Sequence, residues 1–285
     1  MVRASTSAGG PGSAMRSPIP LQTFAVLAKA GFRRYSTYRQ ATLAGVFTNV
    51  VFGFMRCFVL LAVAAAGNGS VAGYEGSQLV TYVWVGQGMI TVVGLWGDTE
   101  LATRIRTGDV VADLLRPIHP VASYLAVDMG RAAFAVTSRM AVPVLAGLLA
   151  FDFYVPHDAV TYPIFAASLL LATVLSFGCR YIVNAAAFWI MDGRGPQIAW
   201  QLASTLLGGL YFPLHFLPPA AVTWLWLATP FPSLLQAPLD IASGHASTRL
   251  ALGYLGVAAV WTVVIFVVAV LVQRRAERRL VVQGG

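Results

Sequence analysis

Few residues in this sequence have the type and spacing needed for chemistry. Its four histidines, His119, His157, His215 and His245, fall at unrelated intervals and show no ligand spacing for a metal. The serines lack histidine and acid partners in a hydrolase pattern. Lys29, the single lysine, follows no glycine-rich loop, so the P-loop that cradles phosphates is missing and no nucleotide is expected to bind this chain. No cofactor or metal of its own, and no enzymatic activity of its own, is expected. Gly86-Gln87-Gly88 lies within an apolar run, where small residues serve close helix packing rather than a cofactor loop. Cys57 and Cys179 also sit in apolar runs and read as small buried hydrophobes, not as a disulfide.

Charge within apolar stretches is more informative. Arg56, Arg131, Arg139 and Arg180 are embedded in hydrophobic sequence, and each arginine at a membrane centre costs about 2.5–3.5 kcal/mol on insertion scales. Arg131 and Arg180 are expected near an interface, where the side chain can snorkel, and Asp128 and Arg131 are one turn apart and can pair. Arg56 and Arg139 lie deeper. A structural pair and the lining of a polar cavity both satisfy them, and both readings stay open. Arg56, Arg139, Arg180 and Asn184 are the candidates for a translocation pathway. A second group, Asp98, Glu100, Arg104, Arg106, Asp109, Asp113 and Arg116, crowds a single loop, which reads either as a solvated face or as a docking surface for a soluble partner.

The elements that position these residues follow from composition. Hydrophobic residues make up 58% of the 285 and charged residues 11%, with a mean hydropathy of +0.72, too little polar surface to clothe a soluble globule. An all-α integral membrane protein is expected, with six spans at about 41–66, 78–97, 124–151, 162–190, 197–217 and 249–272. The net charge of +8 sits beside span ends and forms no long basic face, so nucleic acid is not an expected partner. Arg16, Lys29, Arg33, Arg34 and Arg39 precede the first span, Arg104, Arg106 and Arg116 follow the second, Arg194 follows the fourth, and Arg274, Arg275, Arg278 and Arg279 follow the sixth. Residues 67–77 and 152–161 carry no lysine or arginine. This alternation places both termini in the cytoplasm, with Arg249 as its one exception. The Gly-, Ser- and Pro-rich residues 1–18 read as a disordered cytoplasmic tail, and 19–285 as a single transmembrane domain.

Three segments are not plain spans. Residues 19–39 carry Leu21, Phe24, Leu27, Ala28 and Phe32 at helical spacing, as an interfacial amphipathic helix would. Residues 98–120 predict one or two short cytoplasmic helices, broken at Gly108 and stopped at Pro117. Residues 213–244 are apolar but interrupted by Pro213, Pro218, Pro219, Pro230, Pro232 and Pro238, which excludes one continuous helix and fits outer re-entrant helices.

Taken together, the amphipathic first helix, the phrase Arg106-Thr107-Gly108-Asp109 with Leu114-Leu115-Arg116-Pro117, and the outer phrase Pro213, Pro218, Pro230-Phe231, Pro238 resemble ABC-2 type permeases, in particular those served by one ATP-binding subunit. The resemblance covers nearly the whole chain. It implies a half-transporter that dimerises with itself or a related permease in a bacterial inner membrane. It also implies an ATP-binding-cassette ATPase dimer, carrying ATP and magnesium, docked on Arg104–Pro117, and export of a drug, natural product or lipid-like molecule. An ion-gradient-driven transporter and a non-transporting membrane scaffold are the competing classes.

Overall fold

The computed structural model describes residues 19–190 and 193–283, so the tail expected over 1–18 lies outside the described residues. The first helix, α1 (Leu21–Ser36), follows Pro20 and ends on Arg33 and Arg34, cations that suit a helix C-terminus. Its closest approach to the body is made by small residues, Ala28 of the apolar stripe and Gly31. A Cβ on Gly31 would lie 2.2 Å from the Val127 carbonyl oxygen, and one on Gly130 would lie 1.9 Å from that of Ala28. Only glycine allows such an approach. Phe32 meets Phe134 edge-on at 5.5 Å, while Leu21 and Val26 stay exposed.

The long helices form the body. They are α2 (Arg39–Ala66), α3 (Gly76–Met89) running on through a π turn at Ile90–Gly94, and the short α4 (Glu100–Thr107) and α5 (Val110–Leu114). Next comes α6 (Pro120–Ala135), continued by a second π turn, Val136–Met140, into α7 (Ala141–Ala150). The chain then forms α8 (Thr161–Ala185) and α9 (Arg194–Leu207). It closes with α10 (Pro219–Ala228), α11 (Gln236–Ala242) and α12 (Thr248–Gln283). The only strands among the described residues, β1 (Ser70–Val71) and β2 (Tyr74–Glu75), pair as a small hairpin between α2 and α3. The protein is thus nearly all-α.

Four stretches, Thr42–Ala66, Pro120–Ala150, Thr161–Phe188 and Thr248–Arg279, are long and apolar enough to cross a membrane. The second and fifth expected spans depart from that pattern for different reasons. Every residue from Leu79 to Met89 in α3 is buried, so this helix meets protein and not lipid. Two of its hydroxyls are bonded internally: Thr81 Oγ1 donates to the Tyr154 carbonyl at 2.8 Å, and the Tyr82 hydroxyl to that of Gly209 at 2.7 Å. Trp84 of α3 wedges against Gly53 and Gly147, where a Cβ would sit 2.7 and 2.4 Å from its ring.

The span expected over 197–217 stops at Leu207, because Gly208 and the left-handed Gly209 (φ 87°) turn the chain away. Fourteen residues rise only about 21 Å, short of a hydrocarbon core of about 30 Å. The last helix corrects the sequence in the other direction: Arg274, Arg275, Arg278 and Arg279 lie inside α12 instead of after it.

Arginine-rich segments gather at one end of the bundle, where Arg34 pairs with Glu100 at 2.7 Å. At the opposite end Tyr74 stacks on His245 at 3.8 Å. Gly130→Leu is expected to lower the thermal stability of the detergent-solubilised protein, since overpacking of this kind costs about 1–3 kcal/mol. Gly253→Leu, at a position where a new Cβ meets nothing within 4 Å, should leave it unchanged. Equal melting temperatures for the two variants would contradict the close α1–α6 seam.

Candidate functional site

The short helices at the arginine-rich end are held as one unit. Gly108 takes a left-handed conformation (φ 84°) between α4 and α5, which residues with a Cβ adopt only under strain. Arg104 Nε donates to Asp113 Oδ2 at 2.8 Å, and the Tyr124 hydroxyl donates to the same oxygen at 2.7 Å. This staple joins α4, α5 and α6 around a buried carboxylate. Arg104 Nη2 also reaches the Asp109 carbonyl at 3.3 Å, and Thr107 Oγ1 donates to Asp109 Oδ2 at 2.7 Å.

The start of α4 is equally constrained. Asp98 Oδ1 accepts from the Glu100 amide at 2.8 Å, satisfying one of the N–H groups that a helix N-terminus leaves open. From α8, Asn184 Oδ1 accepts from the Ala102 amide at 3.3 Å, and its Nδ2 donates to the Asp98 carbonyl at 2.9 Å. From α1, Tyr35 donates to Asp98 Oδ2 at 2.9 Å. Burial and then the Asp98 charge hold the Tyr35 phenol above its usual range, so it remains a donor.

Among the expected docking residues, Arg106, Gly108, Asp109, Arg116 and Pro117 are exposed, as are Val111 and Leu115. Arg104, Asp113 and the half-buried Leu114 face inward or along the unit.

Deeper in the bundle the structure overturns the expectation that Arg131 and Arg180 snorkel. Both are buried, 7% and 5% exposed, and both bond Asp128. Arg131 Nε donates to Asp128 Oδ1 at 2.7 Å, and Arg180 Nη2 to Oδ2 at 2.8 Å. Arg131 also donates through Nη1 to the Thr91 carbonyl and through Nη2 to that of Val92 at 3.1 Å. These carbonyls belong to the π turn that ends α3, where a helix leaves acceptors unsatisfied and favours a cation. Trp200 Nε1 donates to the carbonyl of Leu95, just past the turn, at 3.0 Å. Leaving the interior was unnecessary for either arginine, because a carboxylate and a helix terminus already meet them there.

The remaining pathway candidates do not converge. Arg139, in the second π turn, lines a cavity with Arg131 and Arg180. Asn184 clasps α4. Arg56 reaches instead across to α9's exit, donating through Nη2 to the Leu210 carbonyl, while its Nε and Nη1 have no partner among the described residues.

The arrangement of long apolar helices, an α1 clipped to a stapled pair of short helices and a proline-broken segment before the last helix agrees with the family comparison, in which the description ABC-2 family transporter protein matches residues 50–284. The chain belongs to this family. No curated protein matches it. The match covers the short helices, the Asp128 cluster and the proline-rich segment, and leaves out α1 and the first part of α2.

In this ABC-2 chain the proline-rich segment has its own polar centre, which the sequence reading missed. Pro218 and Pro219 start α10 and Pro230 precedes a turn at Phe231–Ser233, while Pro238 sits inside α11. One turn beyond Gln236, Asp240 is fully buried. It accepts from Tyr74, from Gln236 Nε2 at 2.6 Å and from Tyr254 at 3.4 Å, and His215 Nε2 lies 3.0 Å away. Gln236 Oε1 in turn accepts from the Leu214 amide and from Tyr82, each at 2.8 Å. The signal was present: Asp240 is an acid in an otherwise apolar run.

Asp128→Leu is expected to destabilise the protein by about 3–5 kcal/mol, because it leaves two buried guanidinium groups without their anion. Thermal or denaturant unfolding in detergent reads this out, and a change below about 1 kcal/mol, the size of a surface pair, would show that the cluster is not a buried ionic unit.

Proposed function

We infer that this chain is the membrane-spanning permease subunit of an ATP-binding-cassette exporter. It moves a hydrophobic or amphipathic small molecule, such as a drug, natural product or lipid-like compound, out of the cell. ATP and magnesium are bound by a separate ATPase dimer, and a second permease, identical or related, completes the pathway. The observation that carries this reading is the stapled helix pair over 100–114. It is a rigid, charged projection at the end of an apolar bundle, tied to α1, α6 and α8 through Tyr35, Tyr124 and Asn184.

Such a unit transmits force. A partner pressing on Arg106, Val111, Leu115 and Arg116 moves α4 and α5 together, and the Asn184 and Tyr124 bonds carry the displacement into α8 and α6. Four apolar stretches supply lipid-facing crossings. The internal α3 and the shorter α9 complete six, with α10 and α11 as re-entrant helices on the outer side. Both termini are then cytoplasmic in a bacterial inner membrane, as the arginine alternation requires.

Arg106→Glu combined with Leu115→Asp is expected to reduce the ATPase copurifying per permease severalfold while leaving the melting temperature unchanged, since both side chains are exposed. Arg104→Glu should instead lower stability by breaking the Asp113 staple. Undiminished ATPase retention and vesicle transport in the double variant would remove this surface from the mechanism, and transport without any ATPase would remove the exporter assignment. Topology is tested separately: cysteines at Ser70 and Ala159 should label from outside the cell and one at Thr107 only from inside, with the reverse pattern fatal to the orientation.

A further inference from the structure

One face of α12 stays exposed toward its arginine-rich end and changes there only in chemistry. Val260, Val263, Val264, Val267 and Leu271 are exposed and, at about 100° per residue, fall together on that face. Arg274, Arg275, Arg278 and Arg279 continue it, and all four are exposed. The opposite face is the packed one. Ala269 and Ala276 are buried there, and Gln273 accepts from the Tyr181 hydroxyl of α8 at 2.7 Å and donates to Glu277 at 3.0 Å. The arginines therefore point away from the bundle, in the same direction as the exposed valines.

Helix geometry sets their depth. Residues 250–272 hold no charged side chain and rise about 34 Å, enough to cross a hydrocarbon core of about 30 Å. Arg274 to Arg279 then lie about 3–10 Å past residue 272, across the head-group layer and short of any soluble partner below it. None of the four makes an ion pair or side-chain hydrogen bond among the described residues. Two observations choose lipid over a second permease as the occupant. This half of the face carries bulky branched side chains, where helices that meet within a bilayer use small ones. A two-fold contact along it would also set the arginines against their own copies.

We propose that the arginine face of α12 binds anionic phospholipid, with head-group phosphate held between guanidinium groups and the acyl chains lying along the valine face. Arg274 with Arg278, and Arg275 with Arg279, are each one turn apart, so one phosphate can accept from two side chains. Gln273 ties the adjoining turn to Tyr181, so bound lipid fixes the depth of α12 and of the α8 end packed against it. The proposal needs α12 to cross a bilayer and requires neither an ATPase nor a direction of transport.

The test is equilibrium binding to the full-length permease in neutral maltoside micelles, with dioleoylphosphatidylglycerol as the probe. Dioleoylphosphatidylcholine, which has the same chains, is its zwitterionic counterpart. The anionic lipid is expected to bind about tenfold more tightly or better, and to raise the melting temperature as a ligand of the folded state does. Each basic residue at an anionic surface contributes about fivefold in affinity, so Arg275→Gln combined with Arg278→Gln should weaken binding about twentyfold. Lysine at both positions should keep most of the affinity. Arg106→Gln combined with Arg116→Gln removes the same charge from exposed positions on the short helices and should change nothing. Equal affinity for the two lipids, or equal phosphatidylglycerol affinity in wild type and the Arg275/Arg278 variant, overturns the proposal. Efficient disulfide formation between two Val267→Cys permeases in a bilayer would also overturn it, by giving the face to a second permease. So would loss of copurifying ATPase in the Arg275/Arg278 variant with lipid affinity unchanged. The expected lipid preference in a permease that recruits no ATPase would retain the site and discard the exporter.

Discussion

One carboxylate holds the centre of this molecule together. Asp128 carries two buried guanidinium groups, and through Arg131 it reaches the unsatisfied carbonyls that end α3. Taking three charges out of water is costly, and their mutual attraction repays this only where the remaining donors are also bonded. Here most are. The cluster joins α6, α8 and the interior helix at one point, so the approach of α1 to α6, the position of Gly94 and the cavity beside it all depend on its geometry. Desolvation by itself would raise the Asp128 energy; the two flanking cations are what make burial tolerable.

The two ends of the bundle use different physics. At the arginine-rich end, charged groups are paired across element boundaries, as in Arg104–Asp113 and Arg34–Glu100. The second pair is exposed and contributes about 1 kcal/mol or less, whereas Asp113 is buried and also accepts from Tyr124. At the opposite end a single buried acid, Asp240, is surrounded by hydroxyl, amide and imidazole groups of four residues, Tyr74, His215, Gln236 and Tyr254. That network fixes the proline-broken segment to α3 and α12 without a guanidinium. A segment lacking continuous helix has many backbone groups to satisfy, and Gln236 shows how this is done by taking the Leu214 amide directly.

Much of this architecture was legible in the sequence because it follows from local rules. Long apolar runs announce α2, α6 with α7, α8 and α12, Gly108 announces the break between two short helices, and repeated prolines exclude a helix over 213–244. Gly86 and Gly88 do pack closely, where a Cβ would meet Leu239 at 3.4 Å and Met140 at 2.6 Å. What the sequence concealed was long-range pairing. Arg180 and Asp128 are 52 residues apart, and Tyr74 and Asp240 are 166 apart. Nothing local distinguishes an arginine that snorkels from one that finds a distant carboxylate. Helix five was overextended because Leu210, Phe212, Leu214 and Phe216 keep the run apolar after Gly208 and Gly209 have already ended the helix. The amphipathic stripe on α1 is part of the face that docks, with Phe32 on Phe134, and the closest approach is at the small residues Ala28 and Gly31.

The two π turns face each other where α3 and the α6–α7 helix cross, at Ile90–Gly94 and Val136–Met140. A π turn holds one more residue than the α turn it replaces. Successive residues of an α-helix are set about 100° apart around its axis. If such an extra residue is passed along the chain by one position, the stretch it crosses rotates by that angle while the helix remains continuous and unbroken at both ends. Arg139 sits inside one of these turns and Thr91 inside the other. Two helices crossing at such turns can therefore exchange which side chains they present to the space between them by rolling, with no hinge, no unwinding and no change in length.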